Sequence, residues 1–268
     1  MHNNIDALFS ALWQNYVQIT PSAKRIHKLL TGEENSPQIV NDHVAFRTFD
    51  SDKTRLSHLA EHFLALGYEA KGDYDFKAKK VTAKHYEHPD KDQPKVFISE
   101  LRVAEFSAQT QHIIHGLVEQ MPASVVDADN FLYSGRHWQL SKQEYQSLAS
   151  ESEYASWLAA WGYRANHFTV SVNHLNNLTT LSEVNTLLKE AGFVLNTSGG
   201  EIKGGEAVHL AQSSTMADQV ELEFSDGTLT IPSCFYEFAQ RYTLPNGELY
   251  QGFVEASADK IFESTNSQ

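Results

Sequence analysis

The chain has 268 residues, 41% hydrophobic and 21% charged, which describes a folded globule long enough for one large core or two small ones. Its formal charge of −13 argues against a nucleic-acid or anionic-membrane surface, since both need clustered Lys and Arg. An anionic small molecule stays open as a partner wherever a local cation can receive it.

A single cysteine, Cys234, excludes a disulfide framework and a CxxC zinc site, and its apolar surroundings in sequence suit a buried, inert thiol. The opening MHNNIDALFSALWQNY has no basic n-region and no long apolar core, so it reads as an amphipathic helix rather than a signal peptide. No apolar run reaches the length of a membrane span, and the cytoplasm is the expected location. Residues 5–31 are expected to form one or two helices, with Ile5, Leu8, Phe9, Leu12, Trp13 and Tyr16 as a core-facing stripe.

A polar loop, Thr31–Gln38, leads into a strand at Asp42–Phe49, DHVAFRTF. Side chains alternate along a strand, so His43, Ala45 and Arg47 share one face while Val44 and Phe46 point the other way. That face carries a potential metal ligand and a fixed cation, with only a methyl group between them. Residues 54–66 are expected to be helical and to stop at Gly67. Strands are expected at 68–78, 81–88 and 95–103, the last with Glu100 on the face of Val96 and Ile98.

Residues 104–160 turn mostly helical, with Phe106, Ile113, Ile114, Leu117 and Met121 as one stripe. Ser141 and Glu144 fit a capping box, and Trp138, Trp157 and Trp161 are expected to act as packing anchors. The opening pattern then returns. Asn166–Asn173 is a strand with His167, Thr169 and Ser171 on one face, and 179–191 is a helix ending at Gly192. His43 lies 124 residues before His167, and Gly67 lies 125 before Gly192. A constant offset through strand, helix and cap marks an internal duplication.

The expected fold class is therefore α+β: two βαβββ modules in a single domain, joined in one curved mixed sheet around a metal site. Residues 41–103 form the first module and 161–268 the second with a C-terminal helix. Helices at 1–40 precede them, and a helical connection at 104–160 is inserted between them. Further strands are expected at Val194–Thr197, Ala207–Ser213, Gln219–Phe224 and Cys234–Arg241. SGGEIKGG lacks the GxxxxGK[ST] phosphate-loop pattern and reads as a flexible hairpin or lid.

In the last strand Phe235, Glu237 and Ala239 share a face. His43, His167 and Glu237 then stand on the opening strands and on a closing strand. Two neutral imidazoles and a carboxylate suit Fe(II) with three open positions, and the same set serves zinc, nickel or manganese. A buried Glu on an aromatic strand is costly unless a metal, or a cation such as Arg241, compensates it. Glu221 and Glu223 on VELEF are rival ligands. Glu100, taken as the counterpart of Glu237 in the first module, is a candidate neighbour or fourth ligand.

The two-module layout resembles the vicinal-oxygen-chelate superfamily. SCFYEFAQRY, followed by QGF and KIFEST, resembles the closing strand and terminal helix of 4-hydroxyphenylpyruvate dioxygenases, where the Glu of the equivalent strand binds iron. DHVAFRTF together with STMAD and PSCFYEFAQRY resembles the 2-oxoadipate dioxygenase/decarboxylase family over Asp42–Phe262, although characterised members are much longer, with a large insertion.

The resemblance implies Fe(II) on His43, His167 and Glu237, with Arg47 as the catalytic and substrate-binding cation; Gln212 is a further candidate substrate-binding residue. It also implies O2 and a small anionic 2-oxo acid as reactants, 2-oxoadipate giving 2-hydroxyglutarate and CO2. A redox-silent metal hydrolase, lyase or isomerase on the same scaffold is the alternative, and a non-enzymatic binding module the third reading. Oligomeric state is left open.

Overall fold

The computed structural model describes residues 2–32 and 39–266, so most of the loop expected at Thr31–Gln38 lies outside the described residues. Helix α1 (Ile5–Ile19) starts where the Asn4 side chain accepts a hydrogen bond from the Ala7 N–H, 2.8 Å away. Pro21, with no N–H to lose at a first helical position, opens α2 (Pro21–Thr31) directly after it. Two helices, rather than one, occupy this segment.

The first module runs β1 (Asn41–Phe49), α3 (Leu56–Leu64), β2 (Glu69–Phe76), β3 (Val81–Glu87) and β4 (Lys95–Leu101). Three helices follow: α4 (Ala108–Gln120), α5 (Lys142–Glu151) and α6 (Glu153–Trp161). The second module runs β5 (Ala165–Ser171), α7 (Leu181–Glu190), β6 (Lys203–Gly205), β7 (Leu210–Ser214), a hairpin of β8 (Gln219–Phe224) and β9 (Gly227–Pro232), and then β10 (Phe235–Arg241). Helix α8 (Glu255–Ile261) closes the described chain.

Eight strands form one mixed sheet in the order β2-β3-β4-β1-β5-β10-β7-β6. The order is symmetric about the β1–β5 pair. Each opening strand pairs in parallel with its module's closing strand, and the two opening strands pair antiparallel. The duplication read from the offset is therefore a pseudo-twofold of the sheet. Gly67 and Gly192 follow α3 and α7 at matching places with φ of +94° and +85°, left-handed values at which a side chain would be strained.

One face of the sheet is covered by helices. Phe46 meets Phe63 of α3, and Phe168 and Tyr236 meet Trp13 of α1. The inserted helices brace both modules, and Tyr154 of α6 accepts from the Thr48 N–H of β1 at 3.0 Å. Ser141 and Glu144 form the expected capping box on α5. From α6 the Trp157 and Trp161 indoles donate to the carbonyls of Ser233 (2.5 Å) and Pro232 (2.8 Å), gripping the entry to β10. Burying an indole removes about 150–250 Å² from water, a gross gain of about 4–6 kcal/mol at about 25 cal/mol per Å². The strand carrying Glu237 is therefore firmly seated.

Three expectations differ, the first being Ala207–Ser213, which is strand only from Leu210 after a 3-10 turn at Glu206–Val208. Val194–Thr197 forms no strand, only a single bridge of Leu195 to Thr215. Gln219–Phe224 is a strand, but it pairs with β9 in a separate two-stranded sheet. Alternating polarity defines a strand equally well in either sheet, so the pattern could not choose its partner. Among the described residues no helix is long and apolar enough to cross a membrane.

Candidate metal centre

The opening strands carry His43 and His167, and the parallel register sets Glu237 of β10 beside Thr169, two residues beyond His167. Glu237 and both histidines therefore emerge on one face. His167 Nε2 lies 3.1 Å from Glu237 Oε2, and His43 Nε2 lies 3.6 Å from Glu237 Oε1. One ligand atom from each of the three residues falls within 4.8 Å of the others, and all three are buried. This is the single such grouping of His, Cys and carboxylates among the described residues.

Both imidazoles are fixed by the side chain immediately before them. Asp42 Oδ1 is 2.7 Å from His43 Nδ1, and Asn166 Oδ1 is 2.9 Å from His167 Nδ1. Regular alternation would send such neighbours to opposite faces. The β1–β5 ladder shows why it does not: Asn41 pairs with Val170 and His43 with Thr169, leaving Asp42 over, while Ala45 pairs with His167 and Phe46 with Ala165, leaving Asn166 over. Each is the extra residue of a β-bulge, which re-aims its side chain.

An oxygen acceptor at Nδ1 places the proton there and leaves Nε2 as the lone-pair donor, the arrangement found behind metal-bound histidines. Sequence reasoning missed both residues. Their signal was the Asp-His and Asn-His dipeptides at the duplicated positions.

Burial alone would raise the Asp42 carboxyl, but the Arg241 guanidinium and the His43 N–H outweigh it and hold Asp42 well below the usual carboxylate range. Burial likewise works against a charged His43, yet Glu237 and Asp42 together raise it. His167, backed by a neutral amide, is lowered by burial. Glu237 is 1% exposed. Burial opposes its charge, and the facing imidazoles and hydrogen bonds bring its carboxyl down to about 2.

An ionised carboxylate this deep, facing two imidazole nitrogens, is a donor set that a divalent cation compensates. Arg241 does not supply that compensation, contrary to one expectation. Its fork grips Asp42 through Nε (2.6 Å) and Nη2 (2.9 Å). Four residues along a strand span about 13 Å, which separates it from Glu237.

Gln212 lies against Glu237, its Nε2 donating to Oε1 at 2.6 Å. Arg47 is brought to the same cavity, but it is not free. Nη1 donates to Glu153 at 2.7 Å and Nη2 to Thr265 at 3.1 Å, while the rings of Tyr154, Trp157 and Phe262 lie 4.8–5.5 Å from Cζ. Arg47 Nε, Asn166 Nδ2 and Gln212 Oε1 are buried with no hydrogen-bond partner among the described residues, and all three residues line this cavity. Unspent donors and an acceptor converging on one space mark a place for a polar ligand.

The rival acids stand elsewhere. Glu221 and Glu223 are exposed on the β8–β9 hairpin. Glu100 is not the counterpart of Glu237: Glu237 pairs beyond His167 as Phe97 pairs beyond His43, opposite Ala45, whereas Glu100 pairs with Thr48. Its carboxylate accepts from the Leu56 N–H at 2.5 Å at the start of α3. It borders a wider, open cleft where no ligand atoms converge. Cys234 is buried, and burial pushes its thiol up to about 12.

The 2-oxoadipate dioxygenase/decarboxylase family profile matches residues 5–249. The chain belongs to that family.

A relative from Arabidopsis thaliana, "2-oxoadipate dioxygenase/decarboxylase, chloroplastic", is 36% identical over 93% of this chain and 74% of its own length. The hydroxyglutarate synthase of Oryza sativa, solved in complex with 2-oxoadipate, is 34% identical at a TM-score of 0.88, covering 99% of this chain and 94% of that one. A Shewanella frigidimarina NCIMB 400 crystal structure is 58% identical at a TM-score of 0.91, covering 96% of this chain and all of its own (100%). The Oryza sativa and Shewanella frigidimarina structures are matched over nearly their whole chains, so this chain's length does not set it apart from those two.

Proposed function

We propose that this chain oxidatively decarboxylates a 2-oxo dicarboxylic acid, with 2-oxoadipate giving 2-hydroxyglutarate and CO2, at an Fe(II) ion held by His43, His167 and Glu237. One O2 is consumed for each CO2 released, and both its atoms leave in the hydroxy acid, so carbon and oxygen balance. The observation that carries this reading is the joint one: three converging ligand atoms in a family member, inside a cavity whose remaining polar wall holds a buried guanidinium with an unspent N–H. Fe(II) would supply the redox capacity that O2 needs and the Lewis acidity that orients a 2-oxo acid. Zinc, nickel or manganese could occupy the same ligands in isolated protein.

The protein's own part is to position and to exclude water. Asp42 and Asn166 hold the two Nδ1 protons, keeping both Nε2 lone pairs directed inward. Gln212 steadies Glu237 and keeps Oε1 for the substrate or a water. Arg47 receives the distal carboxylate through its unpaired Nε–H while Glu153 and Thr265 fix the rest of the fork. Phe97, Phe253, Ile261 and Phe262 supply an apolar wall for the methylene chain. A cytoplasmic location belongs to the same reading, supported by the single unpaired cysteine.

The test is metal analysis of protein purified without oxygen, followed by oxygen uptake against a panel of 2-oxo acids. One O2 consumed and one CO2 released per 2-oxoadipate is the expected result. Turnover without oxygen uptake would replace this reading by a redox-silent hydrolase, lyase or isomerase.

A further inference from the structure

The cavity is deep and largely covered. His43, Arg47, Gln212 and Glu237 on its floor are buried, and so are Phe253 and Phe262 in its cover. Movement of that cover widens the way to the ligands. The sheet is bonded through its ladders, whereas the segment between β10 and α8 has no strand or helix and is tied by a single bridge of Thr243 to Leu249. Within it Phe253 sits edge-on to His43 at 4.8 Å and covers the site.

One side chain connects that cover to the metal ligands. Arg241 spends Nε and Nη2 on the two oxygens of Asp42, which in turn fixes His43. With Nη1 it donates to the carbonyls of Tyr250 (2.9 Å) and Gly252 (2.8 Å), and its Cζ lies 5.3 Å from the centre of the Phe253 ring. The covering strap is thus held by the same guanidinium that holds the carboxylate behind His43. The second module has no such device, because Asn166 offers an uncharged amide to His167.

We propose that Arg241 is a positioning residue that couples occupation of the metal ligands to closure of the Tyr250–Phe253 strap. With a cation on Nε2, His43 would hold the Asp42 carboxylate more tightly through its Nδ1–H. That sets the angle of the guanidinium whose other donors hold the strap. Linkage runs both ways, so a closed strap must also tighten metal binding. The inference rests on the proposed metal reading of His43, His167 and Glu237.

The test uses Co(II) as the probe and amide exchange of the strap as the readout. The Tyr250 N–H bonds to the Tyr242 carbonyl and the Phe253 N–H to the Tyr74 hydroxyl (3.2 Å), so their exchange reports opening of the strap. In the wild-type chain Co(II) should slow exchange at both amides by about tenfold, within the usual range of a coupling between sites. In Arg241→Gln the slowing should fall below about twofold, and Co(II) affinity should drop by about ten- to a hundredfold, as for other partners that orient metal ligands.

Asp42→Asn gives His43 the partner that His167 already has, and it is the second variant should Arg241→Gln fold poorly. It should lose the same coupling while far-ultraviolet dichroism stays native. Equal slowing in wild type and in either folded variant overturns the inference. Co(II) binding to wild type without any slowing overturns it alone, and a failure of wild type to bind Co(II) overturns it together with the metal reading.

Discussion

Replacing Arg47 with Lys keeps a buried positive charge and removes the planar fork. In the structure that fork is divided: one arm on Glu153, one on Thr265, and Nε unspent toward the cavity, with three aromatic rings packed around it. A lysine ammonium at the end of its stem can meet Glu153 or a substrate carboxylate, not both in this geometry. A hydrogen bond to a charged group is worth about 1.5–3 kcal/mol. At about 1.4 kcal/mol per decade, Arg47→Lys should lose about ten- to a hundredfold in kcat/KM for 2-oxoadipate.

Arg47→Ala should lose more. Metal content should stay at the wild-type level in both, since neither change touches a ligand. The assay is initial oxygen uptake by metal-loaded enzyme with 2-oxoadipate and with 2-oxohexanoate, which lacks the distal carboxylate. The loss should be confined largely to the dicarboxylate. Wild-type turnover of 2-oxoadipate by Arg47→Ala would refute the reasoning and move the carboxylate clamp to another residue.

His43→Ala, His167→Ala and Glu237→Ala should each lose bound metal by elemental analysis, while Glu221→Ala, Glu223→Ala and Glu100→Ala should keep it; full occupancy in Glu237→Ala contradicts the ligand set. Fe(II) with 2-oxoadipate under nitrogen should raise the melting temperature, because a ligand at a hundredfold excess over its Kd stabilises the fold by about 2.7 kcal/mol. Glutarate should do much less, and equal shifts would mean that the keto group makes no contact. Asp42 is lowered in the folded chain, its charge sustained against burial by Arg241 and His43, so its stabilisation is present above the unfolded carboxyl pKa and is lost as pH falls through the lower folded value. Acid titration of the metal-free protein should therefore show a limb below about pH 4 that Asp42→Asn flattens, and an unchanged limb would show that Asp42 is not the linked group.

Much of the site could be read along the chain because it depends on local rules. Alternation put His43 and Arg47 on one face of β1, and the repeated offset matched His43 to His167. The aromatic context and family resemblance of the last strand singled out Glu237 from Glu221 and Glu223. What the sequence could not settle were choices of partner across the fold. The parallel register of β1 with β4 decides that Phe97, not Glu100, answers Glu237. The pairing of β8 with β9 alone removes Glu221 and Glu223 from the site.

Arg241 met Asp42 across 199 residues and Arg47 met Glu153 across 106, contacts with no local signature. The two bulges are the sharpest case. A strand read by its period of two sends Asp42 away from His43 and Asn166 away from His167. Only the antiparallel ladder of β1 with β5, which leaves one residue over on each side, turns both side chains back to hold the imidazoles.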